Sequence, residues 1–119
     1  MGWTMAKIDL IKRPSLIQPK HLLRYVFFTE MQVEQAAKIL NTIMKKDNSV
    51  NESDWQVFVL SSPGLYVKVM RKLRDVGLVS KDKGVFKISK DFSIAISKMA
   101  EYWKNIVESY EEGDRTIKF

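Results

Sequence analysis

The chain reads as a mainly helical α+β domain, and three features of its pattern carry that assignment. Two capped amphipathic segments, 29–46 and 62–77, place apolar residues at helical steps of three and four. Two β-prone runs, 78–80 and 85–89, flank the turn Lys81-Asp82-Lys83-Gly84. From Phe92 onward the apolar residues recur at spacings of 4, 3, 4, 3 and 4, a heptad seam that calls for one long helix. At 119 residues the chain fits a single domain, able to bury roughly two thirds of its unfolded surface without covalent staples.

The N-terminal stretch 1–28 is broken by Pro14 and Pro19, which interrupt any long helix. Its end, Lys20 to Phe28, is apolar enough for burial but too short for its period to separate helix from strand; a short helix is the expected form. Thr29 followed by Gln32 is a capping-box pattern, in which hydroxyl and amide each satisfy a backbone group at a helix start. Val33, Ala36, Ala37, Leu40, Ile43 and Met44 then form the apolar stripe, opposite Glu34, Lys38, Asn41 and Lys45. The helix is expected to stop near Lys46, before the turn residues Asp47-Asn48-Ser49.

Asn51 with Asp54 reads as another N-cap, opening a short helix through Trp55, Phe58 and Val59 that ends at Leu60 or Ser61. The β-prone trio Val57, Phe58 and Val59 makes a strand the competing form. Ser62 is a strong N-cap because Pro63 takes the first helical position, where its missing N–H costs nothing. Tyr66, Val69, Met70, Leu73 and Val76 make the buried stripe of this helix, and Gly77 supplies its left-handed end. The C-terminal seam, Phe92, Ile96, Met99, Trp103, Ile106 and Tyr110, runs for ~28 Å by helical rise and closes at Glu111-Glu112-Gly113. The expected organisation is an arm or short helix over 1–28, a globular unit over 29–90, the long helix over 91–113 and a tail over 114–119.

Charge is unevenly spread. The formal net charge is +6, and residues 61–90 alone hold eight Lys or Arg against Asp75 and Asp82, the same surplus. The C-terminal end is acidic through Glu108, Glu111, Glu112 and Asp114. A local positive field beside an acidic end favours a polyanionic partner on one face. Lacking cysteine and carrying one histidine, His21, the chain has neither disulfides nor a His/Cys cluster for zinc. It shows no Gly-rich phosphate loop and no nucleophile paired with a base, so neither an enzyme nor a cofactor is expected. No run approaches 18 apolar residues, and Asp9, Lys12 and Arg13 interrupt the N-terminal apolar stretch, so the expectation is a cytoplasmic protein without a membrane span. Trp55, Trp103 and the six methionines read as core and interface filler rather than as an effector pocket.

In order, residues 29–90 give helix, short helix, basic helix, strand, basic turn and strand. The third helix ends Leu73-Arg74-Asp75-Val76-Gly77-Leu78-Val79, a Leu, three variable residues and Gly-Leu-Val. This resembles the winged helix-turn-helix regulators of bacteria and archaea, the broad group of MarR-like, ArsR-like and PadR-like families, and the resemblance rests on Ser62 through Ile88. It implies a two-stranded β-wing, a recognition helix for double-stranded DNA and a transcriptional regulator. The chain departs from the pattern in Phe58-Val59-Leu60-Ser61-Ser62-Pro63-Gly64, which lacks the usual small residue before the serine, and in a hairpin short enough to reach one phosphate.

The residues make the DNA case independently. With Tyr66, Val69, Met70 and Leu73 inward, the opposite face of the third helix presents Gly64, Val67, Lys68, Arg71 and Lys72. A helix of that girth fits the major groove, and its first N–H groups favour phosphate. Lys68 and Arg71 suit guanine acceptors and Val67 a thymine methyl. Ser62 and Gly64 allow close approach to a phosphate, and Lys72, Arg74, Lys81, Lys83 and Lys87 suit phosphate oxygens. The seam on the last helix predicts a symmetric homodimer, which would present two recognition helices to an inverted repeat with half-sites near one turn apart. Folding of the seam back on the first helix is the monomeric alternative. The rival functions are a winged-helix protein-interaction or assembly module, using Leu65, Val67, Trp3, Tyr25, Phe27 and Phe28, and an RNA- or ribosome-associated winged helix. Lys7, Lys12, Arg13, Lys20 and Arg24 give a DNA-gripping arm as a further option.

Overall fold

A computed structural model describes residues 18–119. Expectations for residues 1–17, including Trp3 and the arm residues Lys7, Lys12 and Arg13, lie outside the described residues. The first element, α1 (Lys20–Val26), is the expected short helix, ended by the extended backbone of Phe27. Leu23 and Phe27 drop into the core, while Lys20 pairs with Glu34 and Arg24 with Glu30 at 3.0 Å, tying α1 to the next helix.

That helix, α2 (Glu30–Lys45), begins with the predicted capping box: the Gln32 N–H donates to Thr29 Oγ1 at 3.1 Å and the Thr29 N–H to Gln32 Oε1 at 3.4 Å. Its buried face is Val33, Ala36, Ile39 and Ile43, with Leu40 and Ala37 half-buried at its edge. The expected stripe is therefore corrected at one end, where Met44 is exposed and Ile39 takes the central place. The core meets this helix along the 33-36-39-43 line, and the 37-40-44 line turns toward α1. After Lys45 the chain reverses through Asp47 and Asn48, both at left-handed φ of 57° and 60°, a region that Asp and Asn tolerate better than other side chains. Asn48 Oδ1 accepts the Ile88 N–H at 2.6 Å, fastening this corner to the sheet.

Asn51 stands at the predicted N-cap position, with extended backbone but no side-chain cap bond, and it also ends β1 (Val50–Asn51), which pairs antiparallel with β3. The short helix that follows, η1 (Glu52–Phe58), is 3₁₀ rather than α, kinks at Asp54 and stops at Phe58, before the expected end. Its first N–H, on Glu52, donates to Gly84 O at 2.8 Å, so the ladder bond continues into the helix start.

Helix α3 (Pro63–Val76) has the predicted bounds, the Ser62 cap (Leu65 N–H to Ser62 Oγ, 3.2 Å) and the left-handed Gly77 at φ 90°. Strands β2 (Val79–Asp82) and β3 (Val85–Ile88) form the hairpin. Its turn has two residues instead of four: Lys83 at φ 52° and Gly84 at φ 75° have the doubly positive backbone of a tight hairpin turn. The sheet is three-stranded in the order β1-β3-β2, so the two-stranded expectation is corrected. A two-residue strand carries too little pattern to be seen in sequence. The core lies between α2, α3 and the sheet, around Phe58, Ile39, Ile43, Leu73, Val69 and Phe86.

The last helix, α4 (Asp91–Glu111), starts on top of Gly77: the Phe92 N–H donates to Gly77 O at 2.9 Å, and a Cβ on Gly77 would stand 2.7 Å from Phe92 N. No residue of α4 is buried, so the seam is not packed into the core as the monomeric alternative required. The fold is mainly helical with a small antiparallel sheet, an α+β arrangement.

Candidate nucleic-acid interface

The geometry of α3 is set from its inner face. Tyr66 is gripped between two rings, with Trp55 and Phe58 each stacked at 5.8 Å, and Phe58 meets Phe86 edge-on at 5.7 Å. This chain of four aromatics joins η1, α3 and β3, so α3 cannot roll without breaking ring contacts worth ~0.5–1.5 kcal/mol each. Burial pushes the Tyr66 hydroxyl above its ordinary pKa, against the opposing pull of Arg74, so it stays neutral and adds no charge to the site. Trp55 thus serves as core filler, as expected.

The segment joining η1 to α3 is held by a residue that the sequence did not single out. Gln35 is completely buried on α2; its Nε2 donates to Phe58 O at 2.7 Å, and its Oε1 accepts the Leu60 N–H at 3.1 Å. One side-chain amide thereby replaces the backbone partners that a regular turn would supply. The unusual Phe58-to-Gly64 sequence is fixed from outside, by a glutamine in an otherwise apolar face.

With the inner face locked, the outer face of α3 carries Gly64, Val67, Lys68, Arg71, Lys72 and Arg74, all exposed. Open space surrounds the position of a Cβ on Gly64, so the backbone there is bare. Ser62 spends an acceptor lone pair on Leu65, leaving its O–H free to donate. Among the described residues, Lys68, Arg71, Lys72, Arg74, Lys83 and Lys87 form no ion pair, whereas Lys20, Arg24 and Lys81 do. Lys20 and Arg24 tie α1 to α2.

Lys81, expected at phosphate, is paired within the chain. Its Nζ sits 2.9 Å from Glu52 Oε2 and 5.9 Å from the centre of the Phe86 ring, so it braces the hairpin against η1. The hairpin tip is held down again by the Glu52–Gly84 backbone bond, and the basic groups it offers outward are Lys83 and Lys87. Sequence could not show this because the partner carboxylate is 29 residues away.

A cleft of about 310 Å³ runs beside α3, lined by Lys68, Arg71, Lys72 and the carboxylate of Asp75 on one side and by Phe28 and Gln32 on the other. Phe28 is 93% exposed at the α1–α2 corner. Of the aromatics assigned to a protein-binding surface, Phe27 is instead buried in the core and Tyr25 is half-buried. Val67 is exposed, and Leu65 packs against the core. The described residues contain no cluster of His, Cys, Asp or Glu able to hold a metal, and none of their helices is long and apolar enough to cross a membrane.

Fold and site together define a mainly helical protein with a braced antiparallel hairpin and one cationic helix face. The chain belongs to an archaeal family, whose model matches residues 17–108. No curated protein and no solved structure matches it.

Proposed function

We propose that the chain is a small cytoplasmic regulator of the winged helix-turn-helix kind that binds double-stranded DNA sequence-specifically as a dimer. In this reading residues 29–90 are the DNA-binding unit, α3 enters the major groove, and the β2–β3 wing lies on the phosphate backbone. The observation that carries it is the outer face of α3, where Lys68, Arg71, Lys72 and Arg74 lie exposed within seven residues of one helix, without a carboxylate partner among the described residues. Four unpaired cations on one rigid helix make a field complementary to a polyanion.

Lys68 and Arg71 are assigned to base edges, with Val67 beside them. Ser62, Lys72, Arg74, Lys83 and Lys87 are assigned to phosphate, and Gly64 gives the room for close approach. Lys81 is assigned to bracing rather than to DNA. The dimer forms through the exposed seam of α4, whose Ile96, Met99, Trp103 and Tyr110 stand 45–65% exposed in the single chain; so much exposed apolar surface marks an interaction face. The test is fluorescence anisotropy of the protein against labelled genomic duplexes, its own upstream region included, over a range of salt and with unlabelled competitor. Tight binding to a particular duplex that resists competitor and weakens steeply with salt supports the reading. Weak, sequence-blind association overturns it in favour of a protein- or RNA-binding winged helix, which structured-RNA competitors then separate.

A further inference from the structure

We infer that two copies of the chain pair through α4 in antiparallel orientation, with the two globular units carried to opposite ends of the helix pair. The inference rests on the dimer reading above and adds its geometry. Three independent properties of α4 point the same way.

The first is layer matching. The seam spacing reads the same in both directions, so an antiparallel pair centred at Glu101 sets Phe92 against Tyr110, Ile96 against Ile106 and Met99 against Trp103 of the other copy. Each layer then holds one pair of complementary bulk, and the flexible thioether of Met99 meets an indole face. A parallel pair would stack each residue on itself and force two Trp103 rings into one layer. The positions flanking the seam, Ser93, Ala95, Ala100, Tyr102, Val107 and Ser109, carry no charge, so flanking ion pairs do not dictate a parallel register.

The second is charge at the ends. Lys90 is the N-cap residue of α4 and makes no side-chain cap bond, and the last turn contains no basic residue but holds Glu108, Glu111 and the C-cap Glu112. Lys90 and these glutamates oppose the helix dipole, which favours anions at the start and cations at the end, whereas Asp91 in the first turn and Arg115, whose Nη1 donates to Tyr110 O at 2.8 Å, suit it. An antiparallel partner brings the acidic end of each helix toward the basic unit of the other and aligns the two dipoles favourably. A parallel partner would gather both acidic ends together and both basic units together.

The third is reach. The paired seam spans 18 residue steps, ~27 Å at helical rise, and because α4 starts against Gly77, antiparallel pairing sets the two Gly77 ends of α3 apart on that scale. The tail leaves room for this partner: Arg115 lies over the Tyr110 ring at 4.1 Å and Phe119 stands 6.2 Å from Trp103, yet Phe119 is 98% exposed and both seam rings stay more than half exposed.

The native chain has no cysteine, so the test is clean. Sedimentation equilibrium of the native chain first reads its oligomeric state. Full-length Ile96→Cys and Ile106→Cys chains are then oxidised separately and mixed, and Phe92→Cys with Tyr110→Cys repeats the experiment at the ends of the seam. A dimeric native chain, with disulfide-linked dimers only in the mixtures, is the expected result. Linked dimers in the single variants, or a dimer with no linkage in the mixtures, overturn the antiparallel geometry and leave the dimer reading standing. A monomeric native chain overturns both.

Discussion

Replacing Gln35 by methionine tests the account of how α3 is positioned. The substitution keeps side-chain length and apolar bulk but removes both hydrogen bonds of the buried amide, to Phe58 O at 2.7 Å and from the Leu60 N–H at 3.1 Å. The Phe58 carbonyl, adjoining a fully buried ring, loses its partner at a cost of ~1–3 kcal/mol, and the half-buried Leu60 N–H adds ~1 kcal/mol. The methionine returns ~1 kcal/mol of apolar burial. The net loss is ~1–3 kcal/mol, and at ~3–6 °C per kcal/mol for a chain of this size the melting temperature should fall by ~3–18 °C. Thermal and urea unfolding followed by circular dichroism at pH 7 measure this, and hydrogen exchange should show faster exchange at the Leu60 amide. Gln35→Glu should be worse at neutral pH and recover on acidification. Burial raises the carboxyl pKa in the fold, so its penalty grows as pH rises above the unfolded value, and the protonated acid can donate to Phe58 O. A Gln35→Met chain that melts within 2 °C of the native protein would refute the reasoning.

Gly77→Ala should cost at least ~2 kcal/mol, from a left-handed φ that disfavours a side chain and a Cβ placed 2.7 Å from Phe92 N; urea titration with an unchanged slope checks it. Lys83→Asn should stabilise by ~0.5–1 kcal/mol, because Asn-Gly suits the doubly positive turn that Lys83-Gly84 now occupies, and a lower melting temperature would count against the turn. If α3 reads DNA, Lys68→Glu with Arg71→Glu should lower specific affinity by ~100-fold or more. Lys87→Ala should reduce the salt slope by about one, and Lys81→Ala should hardly change it, since Lys81 is already paired with Glu52. The hydrogen bond from Arg24 holds the Glu30 carboxyl below its ordinary pKa; that stabilisation is present above the unfolded pKa and lost as pH falls through the folded one. Acid titration of Arg24→Ala should accordingly show a shallower loss of stability below about pH 4.5, and an unchanged acid limb would argue against the pair.

Elements whose signals are local are legible in the residues alone. The Thr29–Gln32 box, Ser62-Pro63 and Gly77 mark helix ends through bonds that span three or four residues, and the inner stripes of α2 and α3 follow from helical period. The outer cations of α3 were legible for the same reason, since naming the buried face names the exposed one. The remaining features depend on partners distant in sequence and emerge only in the folded chain. The two-residue strand β1 exists because β3 supplies its ladder, which places Asn51 in a strand as well as at the start of η1. Gln35 fixes a turn more than 20 residues away, Glu52 claims Lys81 across 29 residues, and Asn48 caps an N–H 40 residues ahead. Each of these is a polar group meeting a backbone or charge partner that only chain folding brings near, and periodicity carries no trace of it. The seam of α4 stands at the boundary: its spacing is written in the sequence, and its exposure was decided when the core closed around α2, α3 and the sheet without it.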